Sequence, residues 1–415
     1  MHDTVLGQSS FKKDFIWNII GSVCAAGSSI IYLMVVTRVV GDSLGGIFSY
    51  AYASAQLMLT IGRFGMRAFQ ATDLNQQFSF ASYLASRVIT CALMLLTDLI
   101  FLGFSGYDIY KFQIMFWVCV LKMSDAIEDI FHGEMQQKGR LYLAGKLLAA
   151  RNILSFLIFS VILIMTADLL LACLISAILS LLIAIIINIK FIPRLHFDFS
   201  FKVLKSLFFL CIPLFLSTFF SLYIYNSPKN AIDRLLNYEI QTYYGILFMP
   251  AFVINLFSEF AFKPYLTSLA SLWIEEKITN FLNKIKQLFL LIIVFTIVTL
   301  VVGLLIGLPI LSWIYGIDLS PYLKEFMILL LGGGFGAGAW LLNNVLSAIR
   351  KPKELFLGYL VTSITATIIA PILVKQYGMI GAAVSYLITI FLLFALLTCI
   401  LVIAVNRTKI NRINN

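Results

Sequence analysis

Apolar stretches long enough to cross a lipid bilayer follow one another along almost the whole chain. A helix of about 20 apolar residues spans the ~30 Å hydrocarbon core, and the backbone polar groups of such a segment must be bonded within the protein. Twelve stretches of this kind can be marked, with approximate limits at 15–36, 44–62, 84–103, 112–132, 147–166, 169–190, 207–226, 239–260, 287–308, 323–347, 355–374 and 379–404. The sequence therefore predicts an all-α polytopic membrane protein with about twelve transmembrane helices.

Composition excludes the soluble classes of protein. Hydrophobic residues make up 61% of the 415 positions and charged residues only 12%, whereas soluble domains carry about 25% charged residues. The net charge of +10 lies mainly in alternate loops, where anionic lipids of the inner leaflet account for it. We therefore expect membrane lipids, and no nucleic acid, as partners.

The distribution of basic residues predicts the topology. One set of alternate loops holds most of the lysines and arginines, while the opposite set holds only Arg38, Lys111, Lys229, Arg234, Lys324 and Lys375. The richer side is expected to be cytoplasmic, and an even number of spans places both termini there. The first span continues into Thr37 without a small-residue cleavage site, which is typical of an uncleaved anchor.

No cofactor or metal site is indicated. The six cysteines lie in apolar spans without C-x-x-C spacing, and the three histidines are scattered, so neither a metal cage nor a disulfide framework is expected. The glycine-rich run at 332–338 sits in an apolar span and has no Lys-Ser/Thr pair beside it. Close helix packing or a kink explains it better than a phosphate loop.

Two internal matches predict a repeated architecture. Thr37–Phe48 aligns with Asp233–Tyr244, and Lys138–Gly145 aligns with Lys351–Gly358 at a slightly larger offset. The difference in offset predicts an extra amphipathic, interfacial segment between Lys263 and Lys286. The matches place span one on span seven and span four on span ten, which predicts two six-helix bundles, 1–200 and 201–415, around a central cavity. Parallel repeats of this kind occur in transporters.

Span four carries charges that are costly in lipid. Lys122, Asp125 and Asp129 share one helix face, with Glu128 beside it, and intramembrane charges of this kind are functional candidates. Lys122 can pair with Asp125, which leaves a surplus carboxylate that could carry a proton. The alternatives are an ion pair that locks spans together, a substrate contact, or simple placement near the inner interface. A second group, expected at headgroup level near span ends, comprises Asp98, Glu259, Arg63 and Arg67.

Several motifs resemble one transporter family. They are F-K-K-D-F-I-W-N-I-I-G-S (11–22), T-R-V-V-G-D-S-L-G-G-I-F-S-Y-A (37–51), E-D-I-F-H-G-E-M-Q-Q-K-G-R (128–140), I-P-L-F-L-S (212–217), I-Y-G (314–316), the turn at 343–353, and Y-G-M-I-G-A-A-V-S-Y (377–386). Together they resemble the polysaccharide flippases of the multidrug/oligosaccharidyl-lipid/polysaccharide exporter superfamily, the Wzx-type transporters of capsule and O-antigen repeat units. The resemblance covers nearly the whole chain and rests on the order and spacing of the motifs.

The resemblance implies a function and a location. It implies a MATE-like fold in the bacterial cytoplasmic membrane and alternating-access transport of undecaprenyl diphosphate-linked oligosaccharide from the inner to the outer leaflet. The protein is then not an enzyme; it is expected to be a monomer, and other polysaccharide assembly proteins are candidate partners. A small-molecule or drug antiporter of the same superfamily is the alternative. An integral-membrane polysaccharide enzyme is a further one, which the short outer loops disfavour.

The resemblance also suggests where the diphosphate binds. Arg38, Lys229 and Arg234 are expected near the outer mouth of the cavity, where charge-assisted hydrogen bonds would hold phosphate oxygens. The alternative is that they snorkel to headgroups. Many relatives have a Pro-Arg pair near the end of span seven, where this chain has Pro228-Lys229. Lysine keeps the charge but loses the bidentate geometry of arginine.

Overall fold

Helices account for the ordered architecture throughout the computed structural model, which describes residues 2–73, 77–191 and 196–414. Within these residues there is no β-strand. The α-helices are α1 (His2–Arg63), α2 (Met66–Thr72), α3 (Phe80–Ser105), α4 (Ile109–Gln137), α5 (Leu141–Thr166), α6 (Leu169–Ile189), α7 (Phe201–Leu235), α8 (Tyr238–Ile274), α9 (Ile278–Val302), α10 (Leu308–Tyr315), α11 (Leu323–Ala348) and α12 (Pro352–Asn414). A π-helical turn, Gly303–Gly307, joins α9 to α10.

The twelve predicted spans each overlap one helix or one half of a bent helix. By length and composition, eight helical segments of the described chain could cross a membrane. Two of them, Lys13–Arg63 with 51 residues and Pro352–Arg407 with 56, exceed ~75 Å at 1.5 Å per residue and are long enough to cross twice. Both bend at a glycine with positive φ, Gly41 (87°) and Gly378 (61°). The eight segments, two of which count twice, overlap ten of the predicted spans, and α4 and α8 overlap the other two. The all-α polytopic membrane fold is confirmed.

Short polar side chains begin several of the spans. An Asp or Asn side chain just before a helix accepts a hydrogen bond from a free backbone N–H of the first turn. The bonds run from Lys111 N to Asp108 (3.0 Å), from Leu171 N to Asp168 (3.1 Å) and from Ile240 N to Asn237 (3.1 Å). The caps begin α4, α6 and α8, where the chain reverses between neighbouring spans.

The chain divides into two compact units, Met1–Phe219 (the N-unit) and Phe220–Asn415 (the C-unit). The division lies inside α7, whose first residue is Phe201. The predicted boundary between residues 200 and 201 is the start of that helix. The assignment of two six-helix bundles stays a prediction.

The repeated segments fall on similar chain reversals. The first alignment places Gly41, where α1 bends, on Asn237, the N-cap of α8. The second places Lys138, the residue after α4, on Lys351, the residue before α12. The expected amphipathic segment between Lys263 and Lys286 falls on the end of α8, which continues to Ile274, and on the start of α9, which begins at Ile278; its interfacial position stays a prediction. The additional residues lengthen these two helices.

Helix α11 packs through its glycines. Its most apolar stretch is 72% buried, and the helix runs without interruption, so of the two sequence-based explanations packing applies and a kink does not. A Cβ on Gly333 would lie 2.9 Å from the carbonyl oxygen of Ala251 in α8, and one on Gly334 would lie 2.6 Å from Thr296 of α9. Neighbouring helices therefore approach the backbone of α11 directly.

Candidate functional site

The charged residues of α4 lie inside the N-unit. Lys122, Glu128 and Asp129 are buried, and Asp125 is nearly so. The Nζ atom of Lys122 lies 3.0 Å from Oδ2 of Asp125, as their i,i+3 spacing on one face allows. The same ammonium sits 4.3 Å from the ring centroid of Tyr52 in α1. This pair thus links α4 to an aromatic face of α1.

Arg151 of α5 holds two of the carboxylates at once. Its guanidinium donates to Asp125 and to Glu128, and its Nη1 lies 3.2 Å from the Ser124 hydroxyl and 3.4 Å from that of Ser180 in α6. The side chain is only 3% exposed. Arg151 therefore joins α4, α5 and α6 in one polar network. Sequence reasoning missed this role, although an arginine inside the predicted fifth span was a usable signal.

Asp129 is surrounded by arginines from three other helices, α1, α2 and α3. Arg87 Nη2 lies 3.3 Å from Oδ2, Arg67 Nη1 lies 3.5 Å from Oδ1, and Arg63 Nε lies 3.8 Å from Oδ1. Arg87 is buried and also donates to the carbonyl oxygen of Gly62. Arg63 and Arg67 keep 41% and 30% of their side chains exposed, so part of each guanidinium can meet another anion.

The expectation of a surplus carboxylate in this cluster is wrong. Three carboxylates face five cationic side chains, and the ion pairs join Lys122, Arg151, Arg63, Arg67 and Arg87 to Asp125, Glu128 and Asp129. The missing partners belong to α1, α2, α3 and α5, which the spacing within α4 could not reveal. These eight side chains carry a positive formal charge in total. His132 also contacts the cluster, because its Nε2 atom lies 3.2 Å from Oε1 of Glu128.

The headgroup-level expectation fails for Asp98, whose side chain is buried, and stays a prediction for the partly exposed Arg63 and Arg67. Asp98 is 1% exposed, with the Cys119 thiol as its hydrogen-bonding neighbour and no partner for its Oδ2 atom among the residues that the structure describes. Arg63 and Arg67 contact Asp129 as above. The side chain of Glu259 lies outside the described residues. Asp98 is therefore an internal carboxylate of the N-unit.

The three predicted diphosphate contacts lie near the ends of their spans. Arg38 is exposed and precedes the bend at Gly41; Arg234 is exposed in the last turn of α7. Lys229 is partly buried, with Nζ 5.1 Å from the centroid of the Phe248 ring. Arg38 belongs to the N-unit, and the other two belong to the C-unit. Their role in substrate binding stays a prediction.

No metal centre is present in the described part of the chain. No group of three or more His, Cys, Asp or Glu side chains is placed to hold an ion there. The acids of α4 are instead paired with basic side chains. The polar chemistry of the N-unit is therefore that of ion pairs and hydrogen bonds.

Comparison with known proteins gives one curated relative and many solved structures. No protein-family model matches the chain. The capsular polysaccharide biosynthesis protein CapF of Staphylococcus aureus is 23% identical over 393 residues, covering 92% of this chain and 96% of the relative.

Among solved structures, the lipid II flippase MurJ in an inward closed conformation aligns with a TM-score of 0.68 at 16% identity, over 95% of this chain and 90% of that one. An inward-facing multidrug resistance MATE transporter of the MOP superfamily aligns with a TM-score of 0.66 at 10% identity, over 95% of both chains. The protein thus has the fold of these transporters, and the resemblance stated from the motifs is confirmed at that level. It is an integral membrane protein with several membrane-spanning helices.

Proposed function

We propose that this protein is a flippase for lipid-linked oligosaccharide. In this proposal it moves undecaprenyl diphosphate-linked repeat units from the inner to the outer leaflet of the bacterial cytoplasmic membrane, for surface polysaccharide such as capsule or O-antigen. The observation that carries the proposal is the end-to-end similarity to a capsular polysaccharide biosynthesis protein, on a fold shared with a lipid II flippase. Both termini are cytoplasmic, as the basic loops predict, and no enzymatic step is involved.

The substrate poses a physical problem that charged side chains can solve. Its lipid tail can stay in the bilayer, whereas its diphosphate and sugars must cross a region where charges are costly. Arginines with partly exposed guanidinium groups form charge-assisted hydrogen bonds to phosphate oxygens. We assign this role to Arg38, Arg234 and Lys229, and the positive balance around Asp129 supports an anionic substrate.

The network around Arg151 has a structural role in this proposal. Because its carboxylates are all paired, it is better suited to holding α4, α5 and α6 together than to carrying a proton. A buried pair loses several kcal/mol when one partner is removed, so such a network stays intact while repeats rock against each other. We therefore assign Lys122, Asp125, Glu128 and Asp129 to an intramembrane ion-pair lock.

The decisive experiment measures transport in proteoliposomes. Inner-to-outer movement of labelled undecaprenyl diphosphate oligosaccharide is followed with and without an imposed ion gradient. The Arg38→Ala and Arg234→Ala variants should each slow transport by about tenfold or more, the effect of losing a hydrogen bond to a charged group. Lys324→Ala is the matched control, because Lys324 is another exposed cation on the predicted outer side. No transport of any cognate lipid by the unmodified protein would refute the proposal.

An antiporter of small molecules is the second candidate. The similarity to a multidrug resistance MATE transporter favours it. The cationic surplus around Asp129 disfavours it for organic cations, which such a cluster would repel. Uptake of ethidium into the same proteoliposomes, without movement of the lipid-linked sugar, would select this alternative.

A further inference from the structure

An aromatic cluster surrounds Lys229 in the C-unit. Tyr225 and Lys229 are four residues apart on α7 and share a face. The ring of Phe248 in α8 has its centroid 5.1 Å from Lys229 Nζ and 5.0 Å from the centroid of Tyr386 in α12. The Tyr225 ring lies 5.9 Å from that of Tyr386. The cluster therefore brings α7, α8 and α12 together around one ammonium group.

A glycine in the neighbouring helix α11 leaves space for the ring of Tyr386. A Cβ on Gly332 of α11 would lie 2.5 Å from Cε1 of Tyr386, so only glycine leaves room for the ring there. Tyr244 of α8 stacks at 6.0 Å on Phe248. Both tyrosines are fully buried, and their rings are held in place by packing alone.

Several buried polar groups at and near this cluster have no partner among the described residues. The hydroxyls of Tyr244 and Tyr386, and both the amide oxygen and nitrogen of Gln241, have no hydrogen-bond partner among the described residues. Gln241 is 1% exposed and shares a face of α8 with Tyr244 and Phe248, because they are spaced three and four residues apart. Each unmet polar group in a dry interior costs about 1–3 kcal/mol. The two hydroxyls belong to rings that both pack against Phe248, and the Gln241 amide lies about one turn away on the same face of α8, so these four atoms indicate a missing polar ligand.

No described carboxylate balances the charge of Lys229. In the part of the chain that the structure describes, no carboxylate forms an ion pair with it, whereas Lys122 of the N-unit is paired with Asp125 at 3.0 Å. Charged side chains within membrane spans normally pair with one another or mark a substrate path. The Phe248 ring face offers only a weak cation–π contact. An anion from outside the chain would supply the missing charge.

We propose that Lys229, Gln241, Tyr244 and Tyr386 form an oxyanion-binding site for the head group of the substrate. The ammonium, the two hydroxyls and the Gln241 amide together offer hydrogen-bond donors, and the bond to lysine is charge-assisted. The oxyanion is a phosphate of the diphosphate or a carboxylate on an acidic sugar. Lys229 is the partly exposed member, so the anion meets it first. This inference rests on the proposed function, since a lipid-linked saccharide supplies the anion.

Thermal stability of the purified full-length protein tests the site. Three probes are compared: undecaprenol, undecaprenyl diphosphate bearing a neutral disaccharide, and the same diphosphate bearing a disaccharide with glucuronic acid. We expect either or both charged lipids to raise the Tm and undecaprenol to leave it unchanged. Lys229→Met should weaken binding of a charged lipid by about tenfold or more. Weakening with both charged lipids identifies the diphosphate as the ligand, and weakening confined to the glucuronic acid lipid identifies the carboxylate.

A second variant separates binding from folding. Tyr386→Phe keeps the ring and removes only the unpartnered hydroxyl, so the Tm without ligand should stay the same or rise while binding weakens severalfold. Tyr315→Phe is the matched control, because that buried hydroxyl already donates to the Met249 sulfur at 2.9 Å; it should leave binding unchanged. A lower Tm for Tyr386→Phe with unchanged binding would overturn the site and show a purely structural hydroxyl.

Failure of the site and failure of the proposed function give different results. If the unmodified protein transports the lipid and Lys229→Met transports and binds it equally well, the site is wrong and the function stands. A different outcome is that the unmodified protein shows a Tm shift with a charged lipid, which Lys229→Met loses, and yet transports no lipid-linked sugar. In that case the site stands and the function is wrong. If no charged lipid shifts the Tm of the unmodified protein, the oxyanion site is wrong.

Discussion

Arg151 shows how one residue can change the meaning of a charged cluster. Four charges on α4 suggested a surplus acid, yet the guanidinium from α5 pairs with Asp125 and Glu128 together. A planar guanidinium presents five N–H donors in a rigid fork, so it can bond two carboxylates at once in a fixed geometry. The cluster is thereby converted from a candidate proton carrier into a candidate lock between helices.

The same substitution at two buried acids of the N-unit should have opposite effects. Asp129 has three arginine neighbours, so Asp129→Asn leaves buried Arg87 uncompensated and should cost about 3 kcal/mol or more. Asp98 has no cationic partner in the described chain, so Asp98→Asn removes no attraction and should leave the Tm unchanged or higher. Thermal unfolding in detergent measures both variants.

Each of the two variants serves as the other's control. Equal destabilisation by both would contradict the pairing scheme. Loss of only the proton-gradient-driven part of transport in Asp98→Asn, with a normal Tm, would assign to Asp98, rather than to the α4 cluster, the task of coupling transport to protons.

At the scale of helices, close approaches depend on residues without side chains. A Cβ on Gly145 of α5 would press on the carbonyl group of Trp17 in α1, and one on Gly21 would lie 2.7 Å from the carbonyl oxygen of Gly145. Small residues at such crossings allow helices to pack backbone to backbone in membranes. The α1 and α5 helices thus meet at a pair of glycines.

Gly145→Ala should separate these two helices. Backbone atoms cannot move aside as a flexible side chain can, so we expect a loss of about 1–3 kcal/mol, seen as a lower Tm in detergent. Gly27→Ala is the control, because a Cβ there meets nothing within 4 Å and alanine favours the helix by about 0.5–1 kcal/mol. A normal Tm for Gly145→Ala would show that the crossing can relax.

For the whole molecule, the topology makes a direct prediction. The proposed topology, with both termini in the cytoplasm, predicts that residue 324 faces outward and residue 351 faces inward. In a cysteine-free background, a membrane-impermeant maleimide added to intact cells should label Lys324→Cys and spare Lys351→Cys until the membrane is opened. The reverse pattern would invert the orientation, and labelling of both positions would contradict the number of spans between them.

The sequence alone determined the number of spans, their helical nature and most of the chain reversals. These features are local: a bilayer requires about 20 apolar residues for each helix, and residues such as Asp108, Asp168 and Asn237 begin helices through bonds to their own first turn. Order and spacing of motifs also indicated the transporter fold. Neighbouring residues suffice for these conclusions because the lipid imposes the same constraint on every segment.

Only the tertiary structure decided which charges meet. Arg87 and Arg151 lie 42 and 23 residues from the acids they bond, and whether they reach them depends on which helices are adjacent and how each is rotated. The unpartnered groups around Lys229 come likewise from α7, α8 and α12. In a low-dielectric interior the free energy of a buried charge depends on its partner. Helix packing decides which partner each charge meets, and the spacing of residues along one helix does not specify that packing.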